Sequence, residues 1–276
     1  MEFFDFARAH GLMLNSLIPG KWVSVPTVDH PKKRNGRYKW LGDIGWVQNW
    51  ATMERPEMWR GEGAKVNQFA RRAIQNADQE RIELARKAAQ KAGWIMHQTK
   101  PETHEYLKRK GFEDEVGNVF YREDGERILI VPMRRDGRLL GCQQIDSEGR
   151  KKFLYGQESK GASFVIDAKG LNLFCEGYAT ALSIRSVMKA MKLRYTIHCC
   201  FSAGNMEYIA SRVDGGIVIA DNDPSGVGER AALKCDKPYW ISPTVGEDFN
   251  DFHMRVGLFP ASQSLKSVLF ASTAKI

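Results

Sequence analysis

The chain has 276 residues, 43% of them hydrophobic, which is enough for a substantial core and too long for one minimal domain. No apolar run approaches the roughly 18–20 residues that a membrane span needs, and the start, MEFFDFARAHG, mixes acids with apolar residues instead of showing a signal-peptide layout. A soluble cytoplasmic protein is therefore expected, and its net charge of +8 (30 Lys+Arg against 23 Asp+Glu in residues 1–170, 11 against 10 in residues 171–276) points to an anionic partner such as nucleic acid.

Residues 3–14 read as a short amphipathic helix stopped near Gly11. KWVSVPT, RYKWLGD and GWVQNWAT are short, aromatic-rich strands split by Pro, Gly and Asn, with a turn signal at Asn35-Gly36. They make a small β module whose Trp22, Trp40, Trp46 and Trp50 either stack on bases or, as is commoner for large aromatics, fill a mini-core. Its basic loop carries Lys32, Lys33 and Arg34, with Lys39 just beyond, and these four are candidates to face phosphate.

Residues 63–96 are rich in Ala, Arg, Lys, Gln and Glu without proline, and read as one long helix or two with a solvated face. ETHEYLKRKG (102–111) is a short helix closed by Gly111, with Lys108 and Arg109 in its last turn. From residue 119 the pattern changes: VFYRE, RILIVPM, GRLLGCQQID, KKFLYG and ASFVID form an antiparallel block separated by turns. After Gly170 strands and helices alternate, with fully apolar strands, which indicates a mostly parallel sheet.

The five cysteines are odd in number and form no C-x-x-C pair, so a zinc ribbon and a disulfide framework are both excluded, and small buried residues are the reading. His198, in an apolar strand, and His253 earn no role, and Ser202 and Ser225 lack a histidine partner for nucleophilic chemistry.

In open α/β sheets ligands gather at the carboxyl ends of the strands, and three acidic features fall there. Glu176-Gly177 follows LNLFC, Asp221-x-Asp223 follows GGIVIA, and GEDFND (246–251) follows PYWIS. Acids crowded on one sheet edge repel unless a cation lies between them, and Mg2+ takes one or two carboxylates together with phosphate oxygens. Each acidic pattern alone is also an ordinary solvated turn; the three together favour metal-assisted phosphate chemistry.

LFCEGYATALSI and GIVIADNDPSGVGERAA resemble the two motifs of the Toprim domain, shared by bacterial-type primases, topoisomerases and some nucleases. ILIVPMRRDGRLLGCQQID followed by KKFLYG, the helix EYLKRKGFEDEV, and GEDFNDFH resemble elements flanking Toprim in bacterial-type primases, so that the likeness covers roughly residues 101–255. It implies an α/β fold: a Toprim-like, mostly parallel sheet flanked by helices, preceded by an α+β primase-type subdomain and a small N-terminal β module. The corresponding divisions are 1–62 for the β module, 63–100 for a helical linker, 101–170 for the primase-type subdomain, 171–260 for Toprim and 261–276 for a C-terminal tail.

Carried over by residue, the resemblance makes Glu176, Asp221 and Asp223 catalytic and metal-binding and Asp248 an auxiliary metal acid, with Mg2+ or Mn2+ as cofactor and no zinc. Lys152, Lys160 and Arg134 would hold nucleotide or template. The implied activity is synthesis of short primers on single-stranded DNA from nucleoside triphosphates in phage or plasmid replication. A Toprim nuclease and a non-catalytic binding factor are the alternatives. About 20 residues follow Phe252-His253 and no G-x-x-x-x-G-K-[ST] loop occurs, so any replicative helicase is expected to be a separate primosome partner.

Overall fold

The computed structural model describes residues 1–53, 55–61 and 68–271. The chain divides into two units, Met1–Ile82 and Glu83–Ile276.

In the first unit, α1 (Phe3–Ala9) precedes four antiparallel strands in sequential order: β1 (Trp22–Val25), β2 (Gly36–Trp40), β3 (Ile44–Asn49) and β4 (Glu57–Arg60). Strand alternation turns Val23, Val25, Tyr38, Val47 and Trp59 to one face, where they pack with Phe3, Ala7 and Leu12. The Phe3 ring packs on Gly45, where an added Cβ would meet it at 2.2 Å. The mini-core is thus organised by Phe3, Tyr38 and Trp59; of the four tryptophans considered for it, Trp40 packs against it, Trp46 is half-buried outside it, and Trp22 and Trp50 are 39% and 46% exposed. Strand β4 and its Trp59 follow the residues read as the β module's strands.

The long charged segment is one helix, α2 (Gln68–Gln98); residues 63–67 of the segment read as helical lie outside the described residues. In the second unit, the later turns of α2 place Ala88, Ala92 and Ile95 against Ile128, Ile130, Cys142 and Leu154. These last belong to an antiparallel sheet in sequential order: β5 (Lys100–Glu102), β6 (Gly117–Tyr121), β7 (Arg127–Arg135), β8 (Arg138–Ile145) and β9 (Lys151–Phe153), with α3 (Glu105–Arg109) between the first two. The opposite sheet face, with Leu129, Val131 and Ile145, joins Tyr106 and Leu107 of α3 in the main core.

That main core belongs to a second sheet, in the order β10 (Phe164–Asp167), β12 (Tyr195–Cys199), β11 (Leu171–Cys175), β13 (Ile217–Ala220) and β14 (Tyr239–Ile241). The last four of these are mutually parallel and β10 is an antiparallel edge. FVID, read with the antiparallel block, therefore belongs to the parallel sheet; its partner is β12, thirty residues away, and nothing local announces that pairing. Helices α4 (Tyr178–Ala190), α7 (Phe249–Val256) and α8 (Leu258–Ala271) cover one face, and α5 (Ala203–Ala210) and α6 (Val227–Lys234) the other. Both faces are therefore buried, which is why Leu173, Phe174 and Cys175 are all apolar in succession. The stretch read as a C-terminal tail is helix α8 up to Ala271, and it buries Ala261, Leu265 and Leu269; residues 272–276 lie outside the described residues. The five cysteines are buried and unpaired.

Candidate active site

Parallel register puts the acids on one edge. Leu173 is level with Ile217 and Phe174 with Val218, so continuing the ladder sets Glu176 level with Ala220, one step from Asp221. Ala220 is in turn level with Ile241 of β14. All four residues of β13 are buried, so its ladder holds the acidic turn on a rigid rail.

The turn after β13 is fixed from both sides. Asp223 accepts from the Ser225 N–H at 2.9 Å and from its hydroxyl, and its second oxygen accepts from the Gly228 N–H at 3.2 Å. The Ser225 bond leads the causes that hold the Asp223 carboxyl below its ordinary value, so this acid stays ionised. Gly226 sits at φ 64°, a left-handed conformation suited to glycine, at the start of α6. Gly228 packs so closely on Asp221 that an added Cβ would lie 2.3 Å from the Asp221 carbonyl oxygen. On the other side, Asn222 Nδ2 donates to the Ser242 carbonyl at 2.8 Å, and the Asn222 N–H donates to the Glu247 carbonyl at 3.1 Å. Glu247 is anchored by Arg255, whose Nε donates at 2.6 Å, and by the Ser242 hydroxyl at 2.8 Å. Those contacts hold the loop that presents Asp248, whose carboxylate caps α7 by accepting from the Asp251 N–H at 2.8 Å.

The electrostatics show that the acids feel one another. Burial, then the charges of Glu176 and Asp248, push Asp221 up to about 8, and Lys151 pulls it back. Burial, then Asp223, push Glu176 up to about 7, opposed by the Ala203 N–H at the start of α5 and by Lys151. Asp221 Oδ1 is buried without a hydrogen-bond partner. A buried acceptor with no donor, under the charge of Glu176, Asp248 and Asp223, is a place for a cation.

Among the described residues no three acidic, histidine or cysteine side chains converge into a ready metal cage. Mg2+ keeps waters and substrate phosphates as ligands and takes only one or two carboxylates from a protein. Asp221, with its unpartnered oxygen, and Glu176 fit that need; Asp223 has spent part of its capacity on its own turn and Asp248 on a helix cap.

The predicted basic residues separate. Strand alternation in β9 sends Lys151 and Phe153 to one face and Lys152 to the other. Phe153 packs edge-on against Phe201, two residues after β12, on the side of the acids. Lys152 instead lines a small cleft with Arg122, Glu126, Asp146 and Arg150. The lysine whose charge reaches Glu176 and Asp221 is thus Lys151, a residue the sequence reading passed over for its neighbour. Arg134 and Lys160 lie elsewhere. Arg134 lines a cleft of about 700 Å3 with Tyr208 and Arg212, and the Lys160 ammonium sits 4.6 Å from the Tyr208 ring centre. Lys32, Lys33 and Arg34 are exposed in the first unit.

Tyr106 was also missed. Burial, followed by the Asp248 charge, raises its phenol above its ordinary value, opposed by the Ala179 backbone, and the Lys151 ammonium lies 5.9 Å from its ring centre. It lies inside the helix that the sequence likeness had singled out, which was the available signal.

A comparison with protein families matches residues 172–258 to the Toprim domain. The matched stretch is about a third of the chain. It runs from β11 to the start of α8 and contains all four acids. Over 129 residues, 43% of the chain, the sequence is 27% identical to "DNA primase TraC" of Escherichia coli. The match covers 12% of that protein's length. Over these stretches the chain is similar to Toprim proteins and to a primase, and among its described residues no helix is long and apolar enough to cross a membrane.

Proposed function

We propose that the chain is a metal-dependent nucleotidyltransferase of the DNA-primase type, which joins nucleoside triphosphates into short primers on single-stranded DNA. The observation that carries the proposal is the pair of half-buried carboxylates, Glu176 and Asp221, raised to about 7 and about 8 on one edge of the parallel sheet and flanked by the ionised Asp223. A carboxylate near neutrality can take a proton at working pH and give it up again.

In the proposed reaction the 3′-hydroxyl oxygen of one nucleotide bonds to the α-phosphorus of the next. The bond from that phosphorus to the bridging oxygen breaks, pyrophosphate leaves, and the hydroxyl proton passes to Glu176. A bound Mg2+ or Mn2+, held by Asp221 and Glu176 with Asp223 and Asp248 nearby, would supply positive charge for the attacking and departing oxygens. Lys151 adds a fixed positive charge beside the acids, where phosphates must lie. Asp223 keeps its turn closed against α6, so Asp221 is presented from a rigid base. A replicative helicase as partner, and service to a phage or plasmid replicon, belong to the same reading.

The test is incorporation of labelled nucleotide on single-stranded DNA with Mg2+ or Mn2+. Wild type should give short products and the Asp221→Asn, Asp223→Asn double variant none. Metal-dependent loss of the template without new strand would replace the proposal with the nuclease reading.

A further inference from the structure

The first unit presents a sheet face that the proposed chemistry does not use. Cross-strand register places Trp22, Lys39, Trp46 and Met58 in one row across all four strands, on the side away from Phe3 and Tyr38. In the next row Arg37 lies opposite Gln48, to which its Nε donates at 3.0 Å. The Arg37 guanidinium sits 4.4 Å from the Trp22 ring centre and 5.9 Å from that of Trp50. None of the outward positions of the four strands is acidic, whereas Arg37, Lys39 and Arg60 are all cationic.

Neither Arg37 nor Lys39 has a carboxylate partner among the described residues, although Lys39 is only 8% exposed. Cations in such surroundings are ordinarily paired with acids. Here indoles flank them, and two of those indoles remain open: Trp22 at 39% and Trp50 at 46%, with Met58 at 47%. The Trp50 backbone N–H donates to the Asn35 carbonyl at 3.0 Å, which ties the main chain beneath the open indole to the loop that exposes Lys32, Lys33 and Arg34. Open aromatic rings beside a row of unpaired cations match one ligand chemistry: unstacked bases on a phosphate chain. A duplex hides its base faces and would meet only the cations.

We infer that the outer face of the β1–β4 sheet is a binding surface for single-stranded nucleic acid, with Trp22 and Trp50 stacking bases and Arg37, Lys32, Lys33 and Arg34 holding phosphates. The inference takes its ligand class from the nucleic-acid function proposed above, and its test reads binding alone, so that either can fail without the other.

The full chain is titrated against fluorescein-labelled oligothymidylate by anisotropy, in chelator and without nucleotides, over a range of salt. Trp50→Ala should weaken binding roughly 5- to 150-fold, the range for alanine at a base-stacking aromatic. Arg37→Gln should lower the salt slope by about 0.7, one phosphate contact on a single strand. Met58→Glu, at an exposed position where the fold is not at risk, should weaken binding by placing a negative charge on the face. Melting curves that match wild type confirm that each variant is folded. If the folded Trp50→Ala and Met58→Glu variants bind within twofold of wild type, the surface is not the site. A Trp50→Ala loss as large on a duplex of equal length would also overturn base stacking.

Discussion

Replacing Asp221 by Asn should stabilise the protein, by an amount that grows as pH rises from about 4 to about 8. The ordinary Asp carboxyl ionises near 3.8, and in the folded chain Asp221 is pushed up to about 8, first by burial and then by Glu176 and Asp248. Between those values the unfolded chain has released a proton that the folded chain retains. Folding stability therefore falls as pH rises through this window, and the loss is complete only near pH 8. One unit is worth about 1.4 kcal/mol, so roughly three units are in play at pH 7, on the order of 4 kcal/mol for full burial. Asp221 keeps some exposure, although its Oδ1 is buried. Solvent screening brings the penalty to about 2 kcal/mol. An amide carries no charge and escapes it. Asp221→Asn should raise Tm by roughly 5 °C at pH 8 in chelator, given about 2–4 °C per kcal/mol for a unit of this size. At pH 3 the gain should shrink below about 1 °C, because Asp221 is then protonated in the folded state and mostly protonated in the unfolded one as well. Calorimetric melts at both pH values decide it. Equal stabilisation at both, or none at pH 8, would refute the claim that Asp221 is a buried charge held at a cost.

Adding Mg2+ at pH 8 should raise the Tm of wild type more than that of Asp221→Asn, since the ion offsets the same repulsion; equal shifts in parallel melts would contradict this. Gly228→Ala forces a Cβ to within 2.3 Å of the Asp221 carbonyl oxygen. It should cost about 1–3 kcal/mol in urea unfolding and abolish metal-dependent activity. Lys151→Gln should reduce kcat/KM for nucleotide incorporation at least about tenfold, one charge-assisted contact, while Lys152→Gln stays within about threefold. Asn205 accepts from the Gly161 N–H at 2.7 Å and donates to the Ala162 and Cys200 carbonyls at 2.8 Å each. Asn205→Ala strands those three groups and should destabilise by about 2–4 kcal/mol in urea titrations.

The fold of the Toprim region was legible because its signals are local. LNLFC and GIVIA are apolar runs that stop at acids, and each is followed by a helix-period segment, so strand, turn and site declare themselves together. What depends on pairing was not legible. Phe164–Asp167 alternates like the strands before it, and only its register with Tyr195–Cys199 assigns it to the parallel sheet. Lys151 and Lys152 are chemically identical neighbours, and the phase of a three-residue strand decides which faces the acids. Helix α8 has few charges and a proline near its start, so its periodicity did not stand out until Ala261, Leu265 and Leu269 were seen packing on the sheet. The four tryptophans of the β module carried no sign of which face they occupy, because alternation needs a strand start that aromatic-rich, proline-broken runs leave undefined.

The most direct measurement follows the fate of the label. Wild-type chain, Mg2+ and single-stranded DNA are incubated with nucleoside triphosphate labelled at the α- or the γ-phosphate. Nucleotidyl transfer at the Glu176–Asp221 edge predicts α-label throughout short new strands, γ-label released as pyrophosphate except at the first nucleotide, and both lost with Asp221→Asn, Asp223→Asn. Product formation that survives the double substitution, or γ-label appearing as free inorganic phosphate without strand synthesis, would contradict it.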